Sequence, residues 1–123
     1  MEQNGDILYK QIKGVAQVIG KILFKRDSFD YVLPENGNYS ETDNLFIELN
    51  KMLDENKINA AEDKLFSVIN PQSMAHMQIA LNFYQKLASK TKAELEENNF
   101  SLEEVEQGFF DVLKLYNIKI ERK

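Results

Sequence analysis

The sequence predicts an all-α protein, a bundle or tetratricopeptide-like array of about five helices, expected over residues 5–26, 41–55, 58–69, 71–90 and 101–116. Three observations predict it. Apolar residues recur at intervals of three and four in each stretch, the period of a helix that buries one face. Residues that start helices stand ahead of several stretches, among them Ser40, Asn70-Pro71 and Ser101. The joint at Asp54-Glu55-Asn56-Lys57 is so short that the helices on either side of it must form an antiparallel hairpin. A chain of 123 residues fits one helical domain, 1–123, and at this size folding buries about two thirds of the unfolded surface.

The first helix begins in Ile7 to Arg26, ILYKQIKGVAQVIGKILFKR, a run with no acidic residue and no proline. At about 100° per residue, Leu8, Ile12, Val15, Ile19, Ile22 and Leu23 share roughly a quarter of the circumference. Tyr9, Ala16 and Val18 widen the apolar arc to about half. So broad a face is expected to need cover on two sides, which would make this the central helix. Lys10, Lys13, Gln17, Lys21 and Lys25 form a basic ridge opposite. Ala16 and Gly20, one turn apart at the edge of the arc, allow a second helix from the same chain or a dimer mate to approach closely. Gly14 and Gly20 otherwise weaken the helix, by about 1 kcal/mol each against Ala.

Residues 27–40, DSFDYVLPENGNYS, break the helical pattern, with turn chemistry at Pro34-Glu35-Asn36-Gly37. The segment also carries Phe29, Tyr31, Val32, Leu33 and Tyr39, so it is expected to be pinned to the bundle; the alternative is an exposed aromatic patch. With Tyr9, Ala16 and Gly20, the aromatics Phe29, Tyr31 and Tyr39 form the candidate partner surface.

Ser40 is an N-cap for the second helix, followed by acidic residues that suit the helix dipole. Leu45, Leu49, Met52 and Leu53 are its apolar face. Ile58, Ala61, Leu65, Val68 and Ile69 are expected to point inward from the third. Asn70-Pro71 places proline in the first turn of the fourth, where Met74, Met77, Leu81, Tyr84 and Ala88, joined by Ile79, Ala80, Phe83 and Leu87, predict a largely buried helix. Thr91 with Glu94 and Ser101 with Glu104 have capping-box spacing, the former opening a short helical turn to about Glu97. Leu102, Val105, Phe109, Val112 and Tyr116 stripe the last helix, and Asn117 suits a left-handed C-cap with Ile118 reaching back towards Leu113.

Charge and missing chemistry bound the function. The net charge of −5 divides into +3 over residues 1–26, −8 over 27–63 and zero over 64–123, which disfavours nucleic acid as a partner. The simplest use of the division is internal, the lysine ridge facing the acidic middle. The absence of cysteine removes disulfides and thiolate metal sites. Glu2 and Asp6 precede the apolar run and lysines interrupt it, so neither a signal peptide nor a membrane span is expected, and the protein reads as cytoplasmic. His76 is the only histidine, and the positions one turn away, Gln72, Ser73, Ile79 and Ala80, supply no strong metal ligand. The motifs of serine hydrolases, nucleotide-binding loops and zinc proteases are missing. The glutamates around Phe100 read as helix-start charge. No catalytic, cofactor or metal residues are expected.

Leu45 to Pro71, with NKINAAEDKLFSVINP at its turn and second helix, resembles one tetratricopeptide-type hairpin. The whole chain, through IKGVAQVIGKILF, YSETDNL, NKINAAEDKLF, ALNFYQKL and NNFSLEEVEQG, resembles a family of short, acidic, helical proteins of unknown function from Firmicutes. That resemblance implies an all-helical fold and brings no site residues. The reading favoured by the residues is a non-enzymatic module binding a protein partner or itself, as a homodimer. The alternatives are a peripheral membrane protein whose basic helix 7–26 engages anionic lipid, and a small-ligand domain with a site near His76, Tyr84 and Tyr116.

Overall fold

The computed structural model describes the backbone of residues 3–25 and 31–119, and the side chains within them except those of residues 3–6 and 16. Among these residues the chain is all-helical. The helices are α1 (Gln3–Ile19), continued by a π-turn (Gly20–Phe24), α2 (Glu41–Asp54), α3 (Ile58–Val68), α4 (Met74–Ala88), α5 (Lys92–Glu97) and α6 (Leu102–Leu115).

The helix starts follow the predicted chemistry with two corrections. Ser40 Oγ accepts from the Asp43 N–H at 3.1 Å while the Ser40 N–H donates to Asp43 Oδ2 at 2.9 Å, so both free amides are satisfied. Thr91 and Glu94 form the same reciprocal box at α5. Ser101 caps α6 by accepting from Glu104 N–H, but Glu104 Oε1 takes the Ser101 hydroxyl instead of closing the predicted reciprocal box. The fourth helix, however, opens at Met74 rather than at Pro71, because Ser73 Oγ takes the His76 N–H and so supplies the stronger cap. Asn70, Pro71 and Gln72 instead make a turn, closed by the Ser73 N–H bond to Asn70 O. At the far end Asn117 adopts φ 60° and Ile118 N–H returns to Leu113 O at 2.8 Å, the left-handed cap its sequence predicts.

Lys64 on α3 pairs with Glu48 on α2 at 3.4 Å. These positions are symmetric about the 55–57 joint, so the two helices form the expected antiparallel hairpin. α4 packs against α1, α2 and α6, and α6 also meets α1. The central helix is therefore α4, a correction to the expectation placed on α1. The reason lies in its faces: from Met77 to Ala88 it buries Met77, Gln78, Ile79, Ala80, Leu81, Phe83, Tyr84, Leu87 and Ala88. α1 carries a lysine ridge and must leave one side in water.

Val68 and Met74, expected inside, are exposed where α3 gives way to the turn before α4. Leu49, Leu53, Ile58, Ala61, Leu65, Leu95, Leu102, Val105, Phe109, Val112 and Leu113 close the core around α4.

Candidate functional site

α1 docks through a narrow stripe. Leu8, Ile12, Val15 and Ile19 are buried, and on a helix of 3.6 residues per turn they span only about 60°. Ile7 and Val18 lie about 80 to 100° to one side of that stripe and are 63 % and 51 % exposed. On an uninterrupted α-helix Ile22 would fall about 40° from Leu8, within reach of the core. The π-turn changes this. A turn closed by a bond spanning five residues advances less per residue than an α-turn, so Ile22 is carried back onto the flank of Ile7 and Val18. It is 70 % exposed. Lys25, at φ 55°, ends the turn by donating its N–H to Gly20 O.

The result is an uncovered apolar line, Ile7, Val18 and Ile22, with Leu23 also exposed at its end. Gly14 lies along the same flank, and nothing stands within 4 Å of the place a Cβ would occupy there. Lys10, Lys21 and Lys25 are exposed beside it. Among the described residues none of the α1 lysines makes an ion pair; the three pairs present are Lys57–Glu55, Lys64–Glu48 and Lys86–Asp54. The ridge lies on the side of α1 away from the buried stripe and is exposed, while Asp27 and Asp30 of the acidic segment lie outside the described residues.

The sequence-predicted partner residues separate into different roles. Tyr9 is half-buried against the core and Gly20 is buried, so this edge of α1 is taken up by its own chain. Phe24 packs on the same core. The side chain of Ala16 and the whole of Phe29 lie outside the described residues. Tyr31 donates to Asp43 Oδ1 at 2.5 Å, and its ring meets Phe46 at 4.8 Å. Burial and the Asp43 carboxylate push the Tyr31 phenol up to about 12, while the same bond holds Asp43 below the usual carboxylate range. Tyr31 thus pins the linker to α2. Tyr39 remains exposed on that linker.

His76, Tyr84 and Tyr116 do not converge. Tyr116 Oη donates to Asn70 O at 2.7 Å and to Ser73 O at 3.0 Å, and His76 Nδ1 accepts from Asn70 N–H at 3.0 Å. Both side chains therefore hold the Asn70–Ser73 turn. Tyr84, about 12 Å further along α4 by helical rise, donates instead to Glu62 Oε2 at 2.6 Å.

Glu62 is the polar residue that sequence reasoning missed. It borders a shallow cleft of about 320 Å³ between α3 and α6, with Asp63, Phe66, Glu104 and Asp111. Partial burial and the neighbouring carboxylates push the Glu62 carboxyl up, the Tyr84 bond opposing them. Desolvation and the Glu62 carboxylate together push the Tyr84 phenol far up. Its position four residues after Ile58, beside the apolar stripe of α3, was the available signal. Among the described residues no three His, Cys, Asp or Glu side chains are placed to hold a metal. No helix among them is long and apolar enough to cross a membrane.

The fold and surface define a class: an all-helical bundle whose first helix keeps an apolar face uncovered. The chain belongs to the family of unknown function DUF6483, whose model matches residues 1–117. No curated protein and no solved structure matches it.

Proposed function

We propose that the protein is a non-enzymatic interaction module that binds an acidic amphipathic helix of a partner protein along the uncovered flank of α1. The observation that carries this reading is the line of Ile7, Val18 and Ile22, each more than half exposed, on a helix otherwise docked in the bundle. Val18 and Ile22 lie one turn apart and Ile7 about three turns before Val18 on the same side of α1, a line that the apolar face of a partner helix can follow. The partner's charge follows from α1 itself, which between residues 7 and 25 has four lysines and no acidic residue. A second copy docking through the same flank would bring four more lysines alongside, an arrangement that like-charge repulsion disfavours.

Release of α1 to lie on a lipid surface is less well supported. Undocking would expose Leu8, Ile12, Val15 and Ile19, at about 1.5 to 3 kcal/mol for each fully buried side chain. The docked helix can take a partner without that cost.

A test uses two synthetic helical peptides sharing one apolar face, one with glutamates and one with lysines on the flanks. Fluorescence anisotropy is expected to report binding of the acidic peptide only, weakening as salt rises. Val18→Glu with Ile22→Glu is expected to abolish it, with the melting temperature of the protein unchanged. Equal binding of both peptides, binding that survives the double substitution, or pelleting with anionic vesicles in place of peptide binding would each overturn the proposal. A dimer by sedimentation that the double substitution dissolves would assign the flank to a second copy and overturn it as well.

A further inference from the structure

We propose that Asn36 is a site of spontaneous deamidation, converting the turn between α1 and α2 to aspartyl and isoaspartyl forms. The reaction needs an exposed asparagine, an unhindered following nitrogen and a backbone free to leave the helical well. Residues 34–38 supply the first two, and no helix holds them.

Asn36 and Gly37 are exposed in a turn. Asn36 Oδ1 accepts from Asn38 N–H at 2.9 Å, and the ring this bond closes contains both the Asn36 Cγ and the Gly37 nitrogen. It also draws electron density from the side-chain carbonyl, making Cγ more electrophilic. Gly37 has φ 76°, and nothing lies within 4 Å of the place its Cβ would take, so no side chain shields its nitrogen.

The Gly37 nitrogen, losing its proton to solvent base, forms a bond to Cγ. The Cγ–Nδ2 bond breaks and ammonia leaves, giving a five-membered cyclic imide. Water then adds to either imide carbonyl. Opening at one restores the α-linked chain as aspartate; opening at the other gives isoaspartate, whose backbone runs through the extra methylene. The sum is asparagine and water to a carboxylic acid and ammonia. Either product places a new carboxylate four residues before the Ser40 cap, and isoaspartate lengthens the path between Tyr31 and Asp43, which are bonded to each other.

The chain carries its own control. Asn4-Gly5 is the other Asn-Gly pair, and it lies within α1. Closing the imide requires an asparagine ψ outside the right-handed helical well near −42°, so reaction there requires the first turn to unwind.

The test is incubation of the intact protein in mildly alkaline buffer, followed by peptide mapping for the mass gained when NH2 is replaced by OH. The peptide holding residue 36 is expected to convert first, in two isomeric products. The peptide holding residue 4 is expected to lag by roughly tenfold or more, the factor given by about 1.4 kcal/mol of added barrier. In urea the lag is expected to vanish, since both pairs are then free. Gly37→Ala is expected to slow conversion at residue 36, and Asn36→Gln, which would need a six-membered ring, to suppress it. An Asn36 that stays unreactive in the folded protein under conditions that convert the unfolded chain would overturn the proposal.

Discussion

Gly108 on α6 and Gly14 on α1 are both helical glycines, and the structure assigns their replacement by alanine opposite signs. A Cβ at Gly108 would stand 2.4 Å from Tyr84 Cε1, Cζ and Oη. Ordinary carbon contacts sit at about 3.5 Å or more, so the ring or α6 must give way by more than about 1 Å. The ring has little freedom, being fully buried and bonded through its hydroxyl to Glu62. Overpacking of this kind costs about 1 to 3 kcal/mol. A ring that retreats also loses its bond to half-buried Glu62, about 1 kcal/mol more. Alanine returns about 1 kcal/mol of helix propensity. The expected net for Gly108→Ala is a loss of about 1 to 3 kcal/mol. At Gly14 nothing lies within 4 Å, so only the propensity gain remains, up to about 1 kcal/mol of stabilisation. Urea unfolding followed by circular dichroism separates the two, with midpoints moving in opposite directions at unchanged slope. A Gly108→Ala protein as stable as wild type would refute the claim that α6 approaches α4 only because residue 108 lacks a side chain.

Ser40→Ala is expected to cost about 1 kcal/mol through loss of the α2 capping box, read as a lowered urea midpoint. Glu62 has its folded pKa raised, so its contribution to stability is fully present below the ordinary carboxylate value of 4.5 and is lost as pH rises through the higher folded value. Glu62→Gln is therefore expected to flatten the melting-temperature profile on the side above pH 4.5 while keeping an acceptor for Tyr84. Asp43, Asp54 and Glu94 have lowered values, so their contribution is present above the usual carboxylate range and lost as pH falls below it. Asp54→Asn is expected to reduce the acid sensitivity of the melting temperature. The Tyr31 and Tyr116 phenols, both raised from 10.0 to about 12, are expected to ionise late in an alkaline absorbance titration, and Tyr31→Phe to reduce the amplitude of that late step without removing it.

Local signals in the sequence carried most of the fold. Ser40, Thr91, Ser101 and Asn117 each act through hydrogen bonds within a few residues of themselves, so position along the chain is enough to recognise them. The 3-4 spacing similarly located the apolar faces of α2, α4 and α6. What the sequence left unread depends on which helices meet. The Tyr84–Glu62 bond joins residues 22 apart, and the role of Gly108 is set by a ring on another helix. Pro71 was a valid helix-start residue that lost to Ser73, a competition decided by one side-chain bond to His76 N–H. On the surface, Tyr9, Gly20 and Tyr31 drew notice for being aromatic or small, properties that serve internal packing equally well.

The face of α1 illustrates why apolar width alone misleads. A uniform wheel groups Ile22 with Ile19, and from that grouping a helix covered on two sides follows. Five residues of π-turn break the uniformity and transfer Ile22 from the buried stripe to the open flank. The two apolar sets then have separate duties. Leu8, Ile12, Val15 and Ile19 hold α1 to α4 and α6, while Ile7, Val18 and Ile22 contribute little to folding because water still reaches them. Surface substitutions of the second set should change stability by no more than about 0.5 kcal/mol. Binding through that flank can therefore be removed without unfolding the protein, a separation that a central, two-sided helix would not allow.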